Sequence, residues 1–239
     1  MSDAEVEEPE VPAAQGADEA AIVEAAFASP PVEDPALRER QAAEPFATPP
    51  AGLPHAVNAL ISAVVLVVLS PLLIAAIVAI RLTSPGPAIY RQVRVGKGER
   101  EFEMLKLRTM SAGSDPVGVG TAVGGDDPRV TKVGRILRRT SMDELPNLVN
   151  VIRGEMALVG PRPTIPQHLE HYAPYQHRRH AVPPGITGWA QVNGRIGVRW
   201  GERIERDCWY VENRSPGLDV KILARTVKQV VAGEGLDPG

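Results

Sequence analysis

From Ala56 to Ile80 the chain reads AVNALISAVVLVVLSPLLIAAIVAI, 25 residues without a formally charged side chain. A helix that is apolar all round has no obvious place in a soluble domain of this size, and about 20 such residues suffice to cross a bilayer. The run therefore predicts a membrane-embedded helix. Ser70-Pro71 falls near its middle. Proline removes the amide that would bond the Val67 carbonyl and crowds the same turn. It also biases Ser70 away from α geometry, while the Ser70 hydroxyl can satisfy a freed backbone group. A break is expected there, and the residues alone leave its consequence open. A mere kink puts the two flanks on opposite sides of the membrane; a chain that turns back brings both out on one face. Arg81, Arg91 and Arg94 follow the run and favour a cytoplasmic body.

Charge divides the rest. The net charge is -3, yet the first 54 residues hold twelve acidic and two basic side chains, which leaves seventeen acidic against twenty-four basic beyond them. The basic body suits a polyanionic partner. Residues 1–54, rich in Glu, Ala and Pro with few large apolar groups, are expected to form an acidic disordered tail. No basic stretch leads into an early apolar one, so a conventional signal peptide is not expected. The single cysteine, Cys208, excludes an internal disulfide and suits core packing.

Beyond the apolar run, Ser84-Pro85-Gly86-Pro87 signals a turn. Ile89–Val95 and Glu101–Leu107 read as two strands around Gly96-Lys97-Gly98, a short β-hairpin. Residues 112–127 read as a glycine-rich loop. Val130, Val133, Ile136 and Leu137 repeat at helical spacing, as do Leu145, Leu148, Val149 and Ile152. Two helices thus flank RRTSMDELP, residues 138–146. Lys132, Arg135, Arg138 and Arg139 lie on the first, whose end favours cations; Asp143 and Glu144 stand near the start of the second, where exposed amides favour anions.

Two purely structural readings compete for this motif. Ser141 with Glu144 fits a capping box, although Pro146 then falls at the fifth helical position; a cap at Asp143 puts it at the third, where no amide is needed. A DNA-binding helix-turn-helix has the right geometry, but its second helix starts with two carboxylates and carries one basic residue, Arg153. The chemical reading makes Asp143 a nucleophile toward phosphorus, with Glu144 helping to hold a divalent cation whose shell substrate phosphates complete. Arg162, between Pro161 and Pro163, has a fixed backbone from which to offer a bidentate phosphate donor. Residues 182–195, VPPGITGWAQVNGR, end in Arg195. Lys106, Asp127 and Asp207 are weaker candidates for site support, and ordinary ion pairing is the favoured account of Asp207. Ile222, Leu223, Val227 and Val230 mark an amphipathic helix near the C-terminus.

The motifs SPGPAIYRQVRVGKGEREFEMLKLRTM, DPRVTKVGRILRRTSMDELPNLVNVIRGEMALVGPRP, PGITGWAQVNGR and DCWYVENRSPGLDVKILARTV, in this order, resemble the bacterial sugar transferase family, the monotopic phosphoglycosyl transferases. The resemblance spans about residues 55–234. It implies a compact α/β, membrane-associated core, with residues 55–82 a re-entrant helix broken at Ser70-Pro71, residues 83–234 the catalytic domain and residues 235–239 a short tail. It implies transfer of a sugar 1-phosphate from a UDP-sugar to undecaprenyl phosphate with release of UMP. Asp143 is then the nucleophile, Glu144 its magnesium-associated partner, and Arg138, Arg162 and Arg195 handle phosphate. The implied setting is the cytoplasmic face of a bacterial inner membrane, with membrane lipids and downstream glycosyltransferases as partners and no nucleic acid. Glucose or galactose is the weakly favoured sugar, and exopolysaccharide initiation the favoured role. A catalytically silent scaffold of polysaccharide assembly is the alternative.

Overall fold

A computed structural model describes residue 27 and residues 35–111, 113–114, 127–194 and 200–232. Helix α1 spans Pro35–Ala43. The long apolar helix α2 (His55–Thr83) follows, then the antiparallel hairpin β1 (Ile89–Val95) and β2 (Glu101–Leu107), paired from Ile89 opposite Leu107 to Val95 opposite Glu101. Helices α3 (Lys132–Arg139) and α4 (Asn147–Ile152) come next. Strand β3 (Ala157–Val159) lies parallel to β4 (Gly185–Thr187), and two 3₁₀ segments, Pro166–His171 and Pro174–Ala181, make the crossover. Three helices close the described chain: α5 (Trp189–Asn193), α6 (Trp200–Asn213) and α7 (Pro216–Ala232). The result is a mixed α/β core.

The hairpin follows the sequence expectation, with Gly98 at a φ of 62° in its turn. Its second strand is fastened to α4 by a side chain. Asn150, fully buried, accepts from Leu105 N at 3.1 Å and donates to the Glu103 carbonyl at 2.7 Å. Around this junction Met104, Leu148, Val151, Met156 and Val159 pack with Tyr210, Val211 and Ile222 into the main core. Tyr210 donates its hydroxyl proton to Asp219 at 2.7 Å, so the buried phenol has its partner.

Helix α2 departs from expectation at its middle. Pro71 lies inside one helical segment, and the expected break is not seen as an interruption. The reason is local: the Ser70 hydroxyl donates to the Val67 carbonyl at 2.8 Å, replacing the amide that Pro71 lacks. By length and composition α2 is able to cross a membrane. One stripe of it packs on the body, with Asn58, Ser62, Ala76 and Ile80 buried and Val65, Leu66, Leu73 and Ile77 beside the two cores they touch. The opposite stripe, including Leu60, Val64, Val67, Val68, Ile74 and Val78, is exposed and wholly apolar. Both ends are fastened. Near the start, Leu53 N donates to Asp219 at 2.7 Å and Leu158 N to Asn58 at 2.9 Å; just past the other end Arg108 donates to the carbonyls of Ser84 and Pro85 at 2.8 and 2.7 Å.

Part of the expected disordered tail is also ordered. Helix α1 rests on Pro174–Ala181 and α6, where Arg38 pairs with Glu205 at 3.1 Å and Gln41 donates to Glu212. Phe27 is buried among the rings of His168, His171, Tyr172 and Trp200. This segment lacks a core of its own and takes its order from partners on the body, which composition does not report. Residues 1–26 and 28–34, the greater part of the glycine-rich loop and the tail at 235–239 lie outside the described residues. In α7, Ile222 is buried as its periodicity suggests, whereas Val227 and Val230 are exposed.

Candidate active site

The motif between α3 and α4 is shaped by a backbone turn that its residue types disfavour. Thr131 caps α3, accepting from Gly134 N at 2.9 Å, and the helix ends at Arg138 and Arg139. Ser141 then adopts a left-handed conformation, φ 53° and ψ 18°, where glycine is the usual residue. A 3₁₀ turn, Met142–Glu144, carries the two carboxylates, and Pro146 occupies the N-cap position of α4 without a side-chain cap. Both capping expectations are therefore corrected. Ser141 makes no side-chain cap bond, and Asp143 sits one turn before α4 rather than at its mouth, because Pro146 starts the helix where no amide is required.

Glu144 is held from two sides. Lys106, from β2, donates to its Oε1 at 2.9 Å, and Arg162, from the segment after β3, donates to the same oxygen at 3.0 Å. Burial works against the Glu144 charge, but Arg162 and Lys106, through charge and hydrogen bond, more than offset it and hold the carboxyl far below its usual range. A third cation lines the same cleft: Arg94, on β1, donates to Gln92 Oε1 at 2.7 and 3.1 Å, and burial followed by repulsion from Arg162 brings it down to about 10. Asp143 behaves oppositely. Burial and then the Glu144 charge push its carboxyl up to about 6, against the pull of Lys106, Arg138 and Arg162. It remains mostly ionised at neutral pH yet is more basic than an ordinary carboxylate, a useful property in a nucleophile.

Arg162 is positioned by close backbone packing. A Cβ at Gly185 would lie 2.1 Å from Gly160 N, so only two glycines let these segments approach; Gly160 N donates to Thr187 O and Gly185 N to Pro161 O, each at 2.9 Å. Arg179 then donates to the Arg162 carbonyl at 2.8 Å.

The structure brings Asp143, Glu144, Lys106, Arg138 and Arg162 together, with Arg138 also donating to Thr109 Oγ1 at 3.0 Å. Arg195 lies outside the described residues. Asp127 is engaged by Arg129 through paired bonds at 2.9 and 2.7 Å, and those bonds draw its carboxyl down to about 2; Arg138 lies within electrostatic reach. Asp207 lies elsewhere, buried against Arg179 at 2.6 Å. Asn147 and Arg179 were not singled out from the sequence, and Arg94 only as a basic residue following the apolar run, not as part of the site. Alternation along β1 was the available signal for Arg94, and nothing local marks Arg179, whose role depends on a distant carbonyl. Among the described residues no group of three or more His, Cys, Asp or Glu converges as a metal cage. Two adjacent carboxylates, one of them with an oxygen taken by cations, fit a magnesium ion that shares its shell with substrate phosphates and water.

The family model for bacterial sugar transferases matches residues 52–233, and the chain belongs to that family. It is 44% identical over 167 residues to the uncharacterized sugar transferase EpsL of Bacillus subtilis, covering 70% of this chain and 81% of that one. It is 48% identical over 170 residues to a UDP-glucose:undecaprenyl-phosphate glucose-1-phosphate transferase of Caulobacter vibrioides, covering 68% and 63%. A protein of that same description from Escherichia coli K12 is 41% identical over 183 residues, covering 73% of this chain and 39% of its own length. The match thus spans less than two thirds of the latter two relatives.

Proposed function

We propose that this protein transfers a sugar 1-phosphate from a UDP-sugar to a polyprenyl phosphate, undecaprenyl phosphate by its relatives' example, and releases UMP. The observation that carries the reading is the uncapped Asp143 carboxylate, pushed up to about 6, beside a cleft in which three cations face one clamped carboxylate. Such an excess of positive charge draws in a diphosphate and stabilises charge developing during transfer. An Asp143 oxygen attacks the sugar-bearing phosphorus, the bond to the bridging oxygen breaks, and UMP leaves with the electron pair. The polyprenyl phosphate oxygen then attacks the same phosphorus, restores the Asp143 carboxylate and yields a polyprenyl diphosphate sugar. Lys106, Arg138, Arg162 and Arg94 orient the phosphates, and Arg195 joins them by family resemblance. Magnesium, held by Glu144 beside Asp143, supplies neutralisation of phosphate charge when bound. Since Lys106 and Arg162 already engage Glu144 Oε1, metal affinity should be low in the free protein and rise with nucleotide.

The membrane placement follows from α2. A helix of 29 residues, about 43 Å long at 1.5 Å per residue, is fastened near both ends to one body and apolar along its outer stripe, so seating that stripe in lipid keeps both of its ends against that body. This supports the monotopic geometry, and the basic residues after α2 favour the cytoplasmic face. The soluble nucleotide and the lipid acceptor then meet at one site. Downstream glycosyltransferases would extend the product, in exopolysaccharide or related glycan assembly, with glucose or galactose the favoured sugar.

The test is nucleotide release from detergent-purified protein given magnesium, undecaprenyl phosphate and separate UDP-sugars, with UMP resolved from UDP. UMP release abolished in Asp143→Asn is the expected result. Release of UDP, or no release from folded protein with any donor, overturns the reading.

A further inference from the structure

Two asparagines stand one turn apart on α4, and the structure treats them in opposite ways. Asn150 is fully buried and its amide is bonded to Leu105 N, the Glu103 carbonyl and Glu155. Asn147 is 2% exposed, and its Oδ1 accepts no hydrogen bond among the described residues. A buried amide oxygen left without a donor costs roughly 1–3 kcal/mol, and among the buried side-chain atoms without a partner in the described residues this is the one whose residue lines the cleft of Glu144. Asn147 lines the cleft that holds Glu144, Lys106, Arg94 and Arg162, where a cavity of about 20 Å³ has room for one water-sized group.

We infer that Asn147 Oδ1 accepts a hydrogen bond from a hydroxyl of the sugar carried by the donor phosphate, and so is a specificity-determining residue. The inference rests on the proposed transfer reaction and deepens it. Charge and donor chemistry select the occupant. Phosphate oxygens only accept, so they pair with Arg94, Lys106 and Arg162 but leave Oδ1 unmet. A magnesium ion is better served by the carboxylates of Glu144 and Asp143 than by a neutral amide oxygen, so it too leaves Oδ1 unmet. A neutral O–H attached to a phosphate-bearing ligand meets both demands: its phosphate answers the cations and its proton answers Oδ1. Sites that bond a substrate hydroxyl discriminate strongly, since a ligand without that group leaves the buried partner unpaired.

The experiment compares Asn147→Leu, Asn147→Asp and Asn150→Leu with the unmodified enzyme. UMP release is measured from UDP-glucose, UDP-galactose and UDP-N-acetylgalactosamine; donor and UMP binding are measured by calorimetry in the Asp143→Asn background. Asn147→Leu should keep or raise the unfolding temperature, because it removes an unpaired buried group, whereas Asn150→Leu should lower it by several degrees. In Asn147→Leu, kcat/KM for the preferred donor should fall about tenfold or more, and the preference among donors should collapse while UMP affinity holds. Asn147→Asp keeps the acceptor and should keep the order of preference. The inference is overturned if Asn147→Leu unfolds as readily as Asn150→Leu, if it retains the donor preference, if the unmodified enzyme shows none, or if UMP affinity falls in step with donor affinity, which would place the hydroxyl on the ribose. If no UMP is released from any donor but the order of donor binding is lost in Asn147→Leu, the transferase reading fails and this contact stands. Absence of donor binding in every variant sinks both.

Discussion

The turn at residues 141–147 and the Arg179–Asp207 pair are built from the same chemistry, arginine against carboxylate, and serve opposite ends. At the pair, both side chains are sealed from water and meet at 2.6 Å. Burial opposes the charge on Arg179, but Tyr172 and Asp207 more than offset it. At the turn, one carboxylate is clamped by two cations, its neighbour is left destabilised by burial and repulsion, and a third cation, Arg94, pairs with no carboxylate among the described residues. The first arrangement fixes shape; the second holds unspent electrostatic strain that a phosphate ligand relieves. They are physically joined, since the Arg179 guanidinium that pairs with Asp207 also holds the Arg162 carbonyl.

The sharpest way to break this contrast is to neutralise each region. Asp143→Asn should abolish UMP release, a loss of about 10⁴-fold or more as for other nucleophile removals, while stabilising the fold. The sign follows from linkage. The folded-state value of Asp143, about 6, lies above its ordinary 3.8, so ionising it costs stability at neutral pH. The variant should therefore be more stable by about 1–3 kcal/mol at pH 7.5, with the advantage fading as the pH falls from about 6 to below 4. Chemical denaturation across that range checks it, and a less stable variant at pH 7.5 would contradict the contrast.

Arg179→Met should do the reverse, costing about 3–5 kcal/mol by stranding a buried carboxylate. The double change Arg179→Met with Asp207→Leu should cost less than the single one, which denaturation midpoints will show. If the single variant is as stable as the unmodified protein, the pair does not clamp the fold.

A third test concerns the pH profile. The acid limb of kcat/KM should lie near pH 6, reporting Asp143 in the free enzyme. Arg138→Met removes a charge that favours the ionised form and should move that limb to higher pH; movement to lower pH would remove Arg138 from the site. The smallest effect is expected at Ser141. Glycine there relieves a left-handed conformation and should add up to about 1 kcal/mol of stability, but it loosens the turn that aims Asp143, so kcat should fall while KM changes little.

Much of this molecule was legible in the sequence. The hairpin strands were readable from alternation around a glycine-rich turn, and the helices around the motif from apolar spacing, because local periodicity reflects local burial. The Ser70 bond to Val67 was equally local, although its outcome, an uninterrupted helix, was not. The docking of α1 was hidden because Arg38 and Gln41 find partners more than 160 residues away, at Glu205 and Glu212.

By itself, the sequence determined that a long uncharged helix precedes a basic body, and that Asp143 and Glu144 stand between an arginine pair and a proline. These are statements about neighbours along the chain, where residue type and spacing suffice. Only the tertiary structure decided that Lys106 and Arg162 meet on one Glu144 oxygen, that Asp143 caps nothing, that Asp207 belongs to the core, and that Asn147 rather than Asn150 keeps an unpaired oxygen. Each depends on which distant backbone arrives at hydrogen-bonding distance, and electrostatics and desolvation act through that distance, not through sequence separation.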